Sequence, residues 1–193
     1  MRNALAAATL VLLLPLVGCA PAQPFATLPR DAVTGVGDPT RAAVIGSAYA
    51  FATPDVMAGH PEAAARAAAQ VEYLAAEIPA GPRWVDFNPT VGLELQAART
   101  ELRDALGIAA DAPPQAVVDG LYAASRALGR GDLAAAQQAL AAPSFLDAPV
   151  TLKQLAGLPA LPRTRSATAL TEREMFRTDQ DNQHSSGGGG AMF

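Results

Sequence analysis

The chain has 193 residues and a formal net charge of −4; half of its residues are apolar and 17% are charged. That length allows one domain with tails, the apolar content excludes a wholly disordered chain, and the acidic balance leaves no basic surface for nucleic acid. The single cysteine, Cys19, excludes an intrachain disulfide and a Cys-rich metal site.

Residues 1–18 begin with Arg2 and continue as an apolar run from Ala4 to Val17, broken only by Thr9 and Pro15. The run is shorter than the roughly 20 residues that a membrane-spanning helix needs. A basic start followed by a short apolar stretch is the layout of an export signal. The run ends in Leu16-Val17-Gly18-Cys19, which resembles the lipobox of bacterial lipoproteins. The resemblance covers the first 19 residues only. It implies cleavage between Gly18 and Cys19, a diacylglyceryl thioether on the Cys19 sulfur, and N-acylation of the new terminus. Several acyl chains on one residue anchor a protein durably, because each buried methylene contributes about 0.8 kcal/mol and a single chain binds only reversibly. Ala20, where an Asp would imply retention at the inner membrane, favours the outer membrane of a double-membraned cell; in a single-membraned host the anchor would lie in the outer face of the cytoplasmic membrane.

Residues 19–37 are rich in Pro and Gly and read as a tether. Extended at about 3.1 Å per residue, it would hold the domain roughly 55 Å from the bilayer. The helical domain is expected over 38–162. Asp38-Pro39 starts a first helix, Asp38 capping the free N–H groups and Pro39 suiting the first turn. Val44, Ile45, Ala48 and Ala52 share one face, and Pro54 ends the helix near Thr53. A second helix runs from Pro61 to before Pro79. Ala64, Ala68, Val71, Leu74, Ala75 and Ile78 form its apolar stripe, while Arg66, Gln70 and Glu77 point outward. Alanine, of which the chain has 45, favours helix and lets helices approach closely.

Residues 79–90 are a Pro/Gly-rich connection, with a short extended piece expected over Arg83 to Phe87. A third helix over about 90–106 repeats Val91, Leu95, Ala98, Leu102 and Leu106, with Glu94, Glu101 and Arg103 on other faces and Gly107 as its stop. A fourth runs from the Asp111-Ala112-Pro113-Pro114 signal to Gly129. A fifth is capped by Asp132, with Leu133, Ala136, Gln137 and Leu140 along one side. One helical turn is expected near Leu152 to Ala156. Residues 163–193 read as a polar, low-complexity tail, disordered after a short helix at 172–177 whose capping box is Thr171…Glu174. No strand alternation of useful length is present. The fold class expected is all-α: a compact antiparallel bundle of about five helices with an irregular tether and a disordered tail.

The stretch LGRGDLAAAQQALAAP (128–143) resembles the turn and second helix of a tetratricopeptide repeat. It departs from that pattern at Pro143, and Gly120 and Ala127 stand where bulky residues belong. A plain bundle with similar helix starts is the preferred reading.

The catalytic inventory is sparse. His60 lies in a turn and His184 in the tail, so no histidine pair points to zinc. No nucleophile motif is present. Asp86, Glu94, Glu101 and Asp104 are the carboxylates available to a polysaccharide-acting enzyme. Arg83, Trp84 and Phe87 cluster in one loop, and Arg and Trp are frequent interface anchors; Trp84 equally suits a plug closing one end of the bundle. The reading is a lipid-anchored envelope protein with no cofactor, no metal and no catalytic residue identified. It would meet the membrane through acyl chains on Cys19 and bind another envelope component through Arg83, Trp84 and Phe87. The alternatives are a binder of a small apolar ligand or, further off, the enzyme.

Overall fold

The computed structural model describes residues 26–32 and 37–187. Residues 1–18, read above as an export signal, and Cys19 lie outside the described residues. Among these, seven α-helices form an all-helical domain with no strand. They are α1 (Pro39–Ala52), α2 (Pro61–Ala80), α3 (Pro89–Leu106), α4 (Pro114–Gly129), α5 (Leu133–Ala139), α6 (Ala148–Ala156) and α7 (Pro162–Gly187).

The starts follow local chemistry. Asp38 accepts hydrogen bonds from the Thr40 and Arg41 amides at 3.0 and 3.3 Å. Asn88, Asp132 and Asp147 each accept one from Thr90, Ala135 and Val150 at 3.0 Å. Each side chain replaces a partner that the first turn of a helix lacks. Six helices open with Pro in their first turn, where the missing N–H costs nothing.

Helix α2 is the centre of the domain. Thirteen of its 20 residues are buried, seven of them alanines, and α1, α3, α4 and α6 all pack against it. Small side chains let several neighbours approach one helix, which is why α2 has no solvent stripe of ordinary width. Gln70, expected to face outward, is therefore buried, its amide against Gly46 of α1. Pro79 does not stop α2, which continues to Ala80. A proline here has no N–H for the carbonyl four residues back, and Gln96 Nε2 of α3 donates to that freed Ala75 carbonyl at 2.5 Å.

Two expectations are corrected. Residues 163–187 are not a disordered tail: α7 lies across α1 and α3 and buries Thr164, Ala167, Thr168, Thr171 and Met175. Three of its buried threonines return their hydroxyls to the backbone, Thr168 to Thr164, Thr171 to Ala167 and Thr164 to Ala98 of α3, so a polar-looking stripe packs as an apolar one. Thr171 is thus mid-helix and caps nothing. Nor is the whole of 19–37 a free tether. Ala26 is buried, Leu28 and Ala32 pack on the core, and Thr27 is bonded to Gln115 of α4.

Smaller departures concern the other segments. Arg83–Phe87 is not extended: Pro82–Trp84 is a 3₁₀ turn. Helix α6 spans nine residues rather than one turn, with Thr151 Oγ1 donating to the last carbonyl of α3, Leu106, at 2.8 Å. Ile45 and Leu133, placed on apolar faces by periodicity, are exposed. In α4, Gly120 is where Phe145 and the Ala139 carbonyl cross the helix; a Cβ there would lie 2.7 and 2.9 Å from them. The position lacks a bulky side chain because the chain after α5 folds over it.

Candidate functional site

The three residues singled out for binding do come together. After α2, Gly81 turns the chain; a Cβ on it would meet Trp84 Cδ1 and the Glu77 carbonyl at 2.8 Å, so glycine lets the indole fold back onto the helix end. Trp84 is only 7% exposed. Its Nε1 donates to Glu77 Oε1 at 3.3 Å, and its ring meets Phe87 edge-on with centroids 4.9 Å apart. The Arg83 guanidinium lies 4.7 Å above the indole and is ion-paired with Asp38 at the start of α1. That pairing holds the Asp38 carboxyl below its ordinary range and raises Arg83 above its own.

Helix α7 closes the far side of this corner. Glu174 accepts the Asn88 amide at 2.7 Å, and Arg177 donates to the Asp86 carbonyl at 3.1 Å. Arg177, bonded to Glu174, holds that carboxyl below its usual range. Trp84 and Phe87 are therefore buried supports, and the surface they offer is indirect. Arg83 has a half-exposed side chain, and Val85 and Leu93 are 77% and 71% exposed. Between Val85 and Leu93 lies a groove of about 330 Å³ that Ile78, Trp84 and Phe87 also line.

A second concavity, of about 490 Å³, opens where the end of α1 meets the α6–α7 junction. Phe51, Met57, Leu158 and Leu161 line it, with Asp55 and Arg165 as its charged groups. One hydrogen bond ties its two walls, Gly59 N to the Ala156 carbonyl at 3.3 Å. Mostly apolar walls with few charged groups are the make-up of a small-molecule site.

Of the carboxylates considered for catalysis, Glu101 is engaged in holding a helix start. Glu101 accepts the Arg163 and Thr164 amides at 3.2 and 2.8 Å and the Thr164 hydroxyl at 2.8 Å; it caps the start of α7 from α3. His60 is exposed, with Nδ1 3.3 Å from Glu62, and His184 is an exposed residue of the last turns of α7. Among the described residues no cluster of three His, Cys, Asp or Glu could hold a metal ion, and no helix is long and apolar enough to cross a membrane.

Sequence reading missed a buried ion pair. Glu72 of α2 is wholly enclosed, and Arg103 of α3, expected on an outer face, meets it. Arg103 Nε donates to Glu72 Oε2 at 3.1 Å and Nη2 to Oε1 at 2.5 Å. Its remaining donors reach the carbonyls of Ala109, Ala110 and Ala112 at 3.1, 2.9 and 2.9 Å. Arg99 Nε is 4.0 Å from the same carboxylate, and burial lowers its pKa. All five guanidinium donors are used, so the group serves to fix the α3–α4 connection to α2. A further buried polar residue, Tyr122 of α4, lies on the side of its helix that the spacing assigns to the core. Its hydroxyl lies beside Gln70 but makes no hydrogen bond of good geometry, and burial pushes its pKa up to about 12. A pair on different helices leaves no periodic signal, and each charge alone reads as solvated.

Compared with known proteins, the chain matches no family model, no curated protein and no solved structure.

Proposed function

We propose that this is a lipid-anchored protein of the bacterial cell envelope whose helical domain binds another envelope component without catalysing a reaction. The observation that carries the reading is the tetrapeptide Leu16-Val17-Gly18-Cys19 at the end of a basic-then-apolar leader. Acyl chains on Cys19 would hold the chain to the outer membrane, facing the periplasm, or to the outer face of the cytoplasmic membrane in a host with one membrane. In the domain, the neighbours of α2 run antiparallel to it. Support comes from Ser125 near the end of α4, which donates to the Glu62 carbonyl at the start of α2, and from Thr40 at the start of α1, whose hydroxyl pairs with Tyr73 well along α2 at 2.6 Å.

The binding surface we assign is the corner of Arg83, Trp84 and Phe87. Arg83 offers a cation over an aromatic ring, Val85 and Leu93 offer exposed apolar area, and Trp84 and Phe87 hold these from beneath. Two measurements test the reading. The intact mass of the mature polypeptide should show an acylated Cys19 as its first residue; an unmodified thiol or another start site would overturn the anchor. Cross-linking from a photoreactive group at Val85 in native membranes should capture one specific envelope component; labelling spread evenly over abundant proteins would overturn the binding role.

A second reading is favoured by the 490 Å³ concavity, whose walls suit a small apolar ligand. Ligand at a hundredfold excess over its Kd stabilises a folded protein by about 2.7 kcal/mol, so a thermal-shift screen of apolar metabolites, repeated with Leu161→Gln, separates this reading from the first.

A further inference from the structure

We propose that residues 26–32 are a strap that seats the N-terminal end of α4 close to the bilayer, replacing a long leash by a short one. This rests on the lipid anchor at Cys19 proposed above. A tether of the full 19–37 segment would leave the domain free to wander tens of ångströms from the membrane. The strap removes most of that freedom. Thr27 is fixed at both of its backbone groups: its amide donates to Gln115 Oε1 at 2.7 Å, its carbonyl accepts from Gln115 Nε2 at 3.1 Å, and its hydroxyl donates to the same Oε1 at 3.1 Å. Ala26 is buried, Leu28 and Ala32 pack against the core, and Asp31 pairs with Arg126, about three turns further along α4, at 3.3 Å. Backbone bonds, buried side chains and an ion pair thus fasten the segment along α4.

Six residues, 20–25, separate Cys19 from Ala26. The seven steps from Cys19 to Ala26, at about 3.3–3.6 Å each, cannot exceed about 25 Å. The partner of the α4 N-terminal end is therefore the lipid headgroup layer, held there by a covalent limit on distance rather than by surface affinity. Helix α4 packs on α2, whereas α7 packs on α1 and α3, and the proposal puts the exposed face of α7 further from the bilayer than the start of α4.

The test uses the full-length acylated protein in vesicles of phosphatidylethanolamine and phosphatidylglycerol carrying acceptor-labelled headgroups. With the Cys19 sulfur acylated, a cysteine introduced at exposed Ala116 of α4 or exposed Arg173 of α7 is the only free thiol for a donor dye. Energy transfer from Ala116→Cys should exceed that from Arg173→Cys at least twofold. Adding Leu28→Asp with Gln115→Ala should open the strap and lower the Ala116→Cys transfer at least twofold, with vesicle retention unchanged. Should the double substitution disturb folding, Gln115→Ala alone is read by hydrogen exchange, which should speed at the Thr27 amide by tenfold or more and leave α2 protected. Equal transfer from the two positions, or exchange at Thr27 unaffected by Gln115→Ala, overturns the strap while retention stands. Loss of vesicle retention, or a second labelled thiol at Cys19, overturns the anchor itself and the seating with it.

Discussion

Replacing Arg103 by Met tests the buried junction of α2, α3 and the α3–α4 connection. The substitution keeps much of the aliphatic stem and removes five donors at once. Glu72, wholly enclosed, is left with only the Arg99 nitrogen at 4.0 Å, and the carbonyls of Ala109, Ala110 and Ala112 lose the guanidinium donors. Removing one member of a buried ion pair costs about 3–5 kcal/mol, because the other charge stays desolvated and unpaired. Folded domains are stable by only about 5–15 kcal/mol. For a chain of this length each kcal/mol lowers Tm by about 2–4 °C, so Arg103→Met should lose roughly 6–20 °C. The assay is urea and thermal unfolding of the full chain, followed by far-ultraviolet circular dichroism. Adding Glu72→Gln should return a large part of the loss, since the stranded charge is gone, while Arg103→Lys should fall between, having charge without the planar fork. A cost below about 1 kcal/mol for Arg103→Met, or a double variant as unstable as the two single losses summed, would refute this account of the junction.

Trp84→Ala should cost about 3–5 kcal/mol in a urea titration, because the indole is buried against Gly81 and Phe87; unchanged stability would make it a surface anchor instead. Ending the chain after Leu161 removes α7, and burial of Met175 alone is worth about 1.5–3 kcal/mol, so the midpoint of unfolding should drop clearly; a polar tail without structure would leave it unmoved. Gly120→Ala should lose about 1–3 kcal/mol through the clash with Phe145 and Ala139, whereas Gly129→Ala, where the new methyl meets nothing within 4 Å, should be neutral or gain a few tenths. The Tyr122 hydroxyl is neutral in the fold, and its folded pKa of about 12 lies above the ordinary value near 10. Its contribution is therefore full below pH 10 and is lost as pH rises toward 12. Tyr122→Phe should flatten the alkaline stability profile in that window, and a difference titration showing Tyr122 ionising near pH 10 in the folded state would contradict its burial.

Much of the helical scaffold was legible because its signals are local. Asp38-Pro39 and Asp132 each place a cap beside a helix start, and the stripe Val91, Leu95, Ala98, Leu102, Leu106 is buried as its spacing requires. The loop cluster Arg83, Trp84 and Phe87 was also visible as composition, though not its depth: whether a tryptophan is a plug or an anchor depends on what folds over it. Helix α7 was hidden because threonines that bond their own helix and a carboxylate that caps another element look, in one dimension, like solvated residues. Gln70 and Arg103 were misplaced for the reverse reason: helical phase says which side a residue is on, and a helix surrounded on several sides has no outside.

The sequence alone determined the single cysteine, the all-helical class and the caps at Asp38 and Asp132, since propensity, charge placement and capping act over a few residues. The tertiary structure decided that Glu72 and Arg103 meet, that 26–32 is fastened to α4, and that α7 belongs to the body. Those outcomes depend on distances between residues tens of positions apart, set by close packing around an alanine-rich central helix, and no local pattern encodes them.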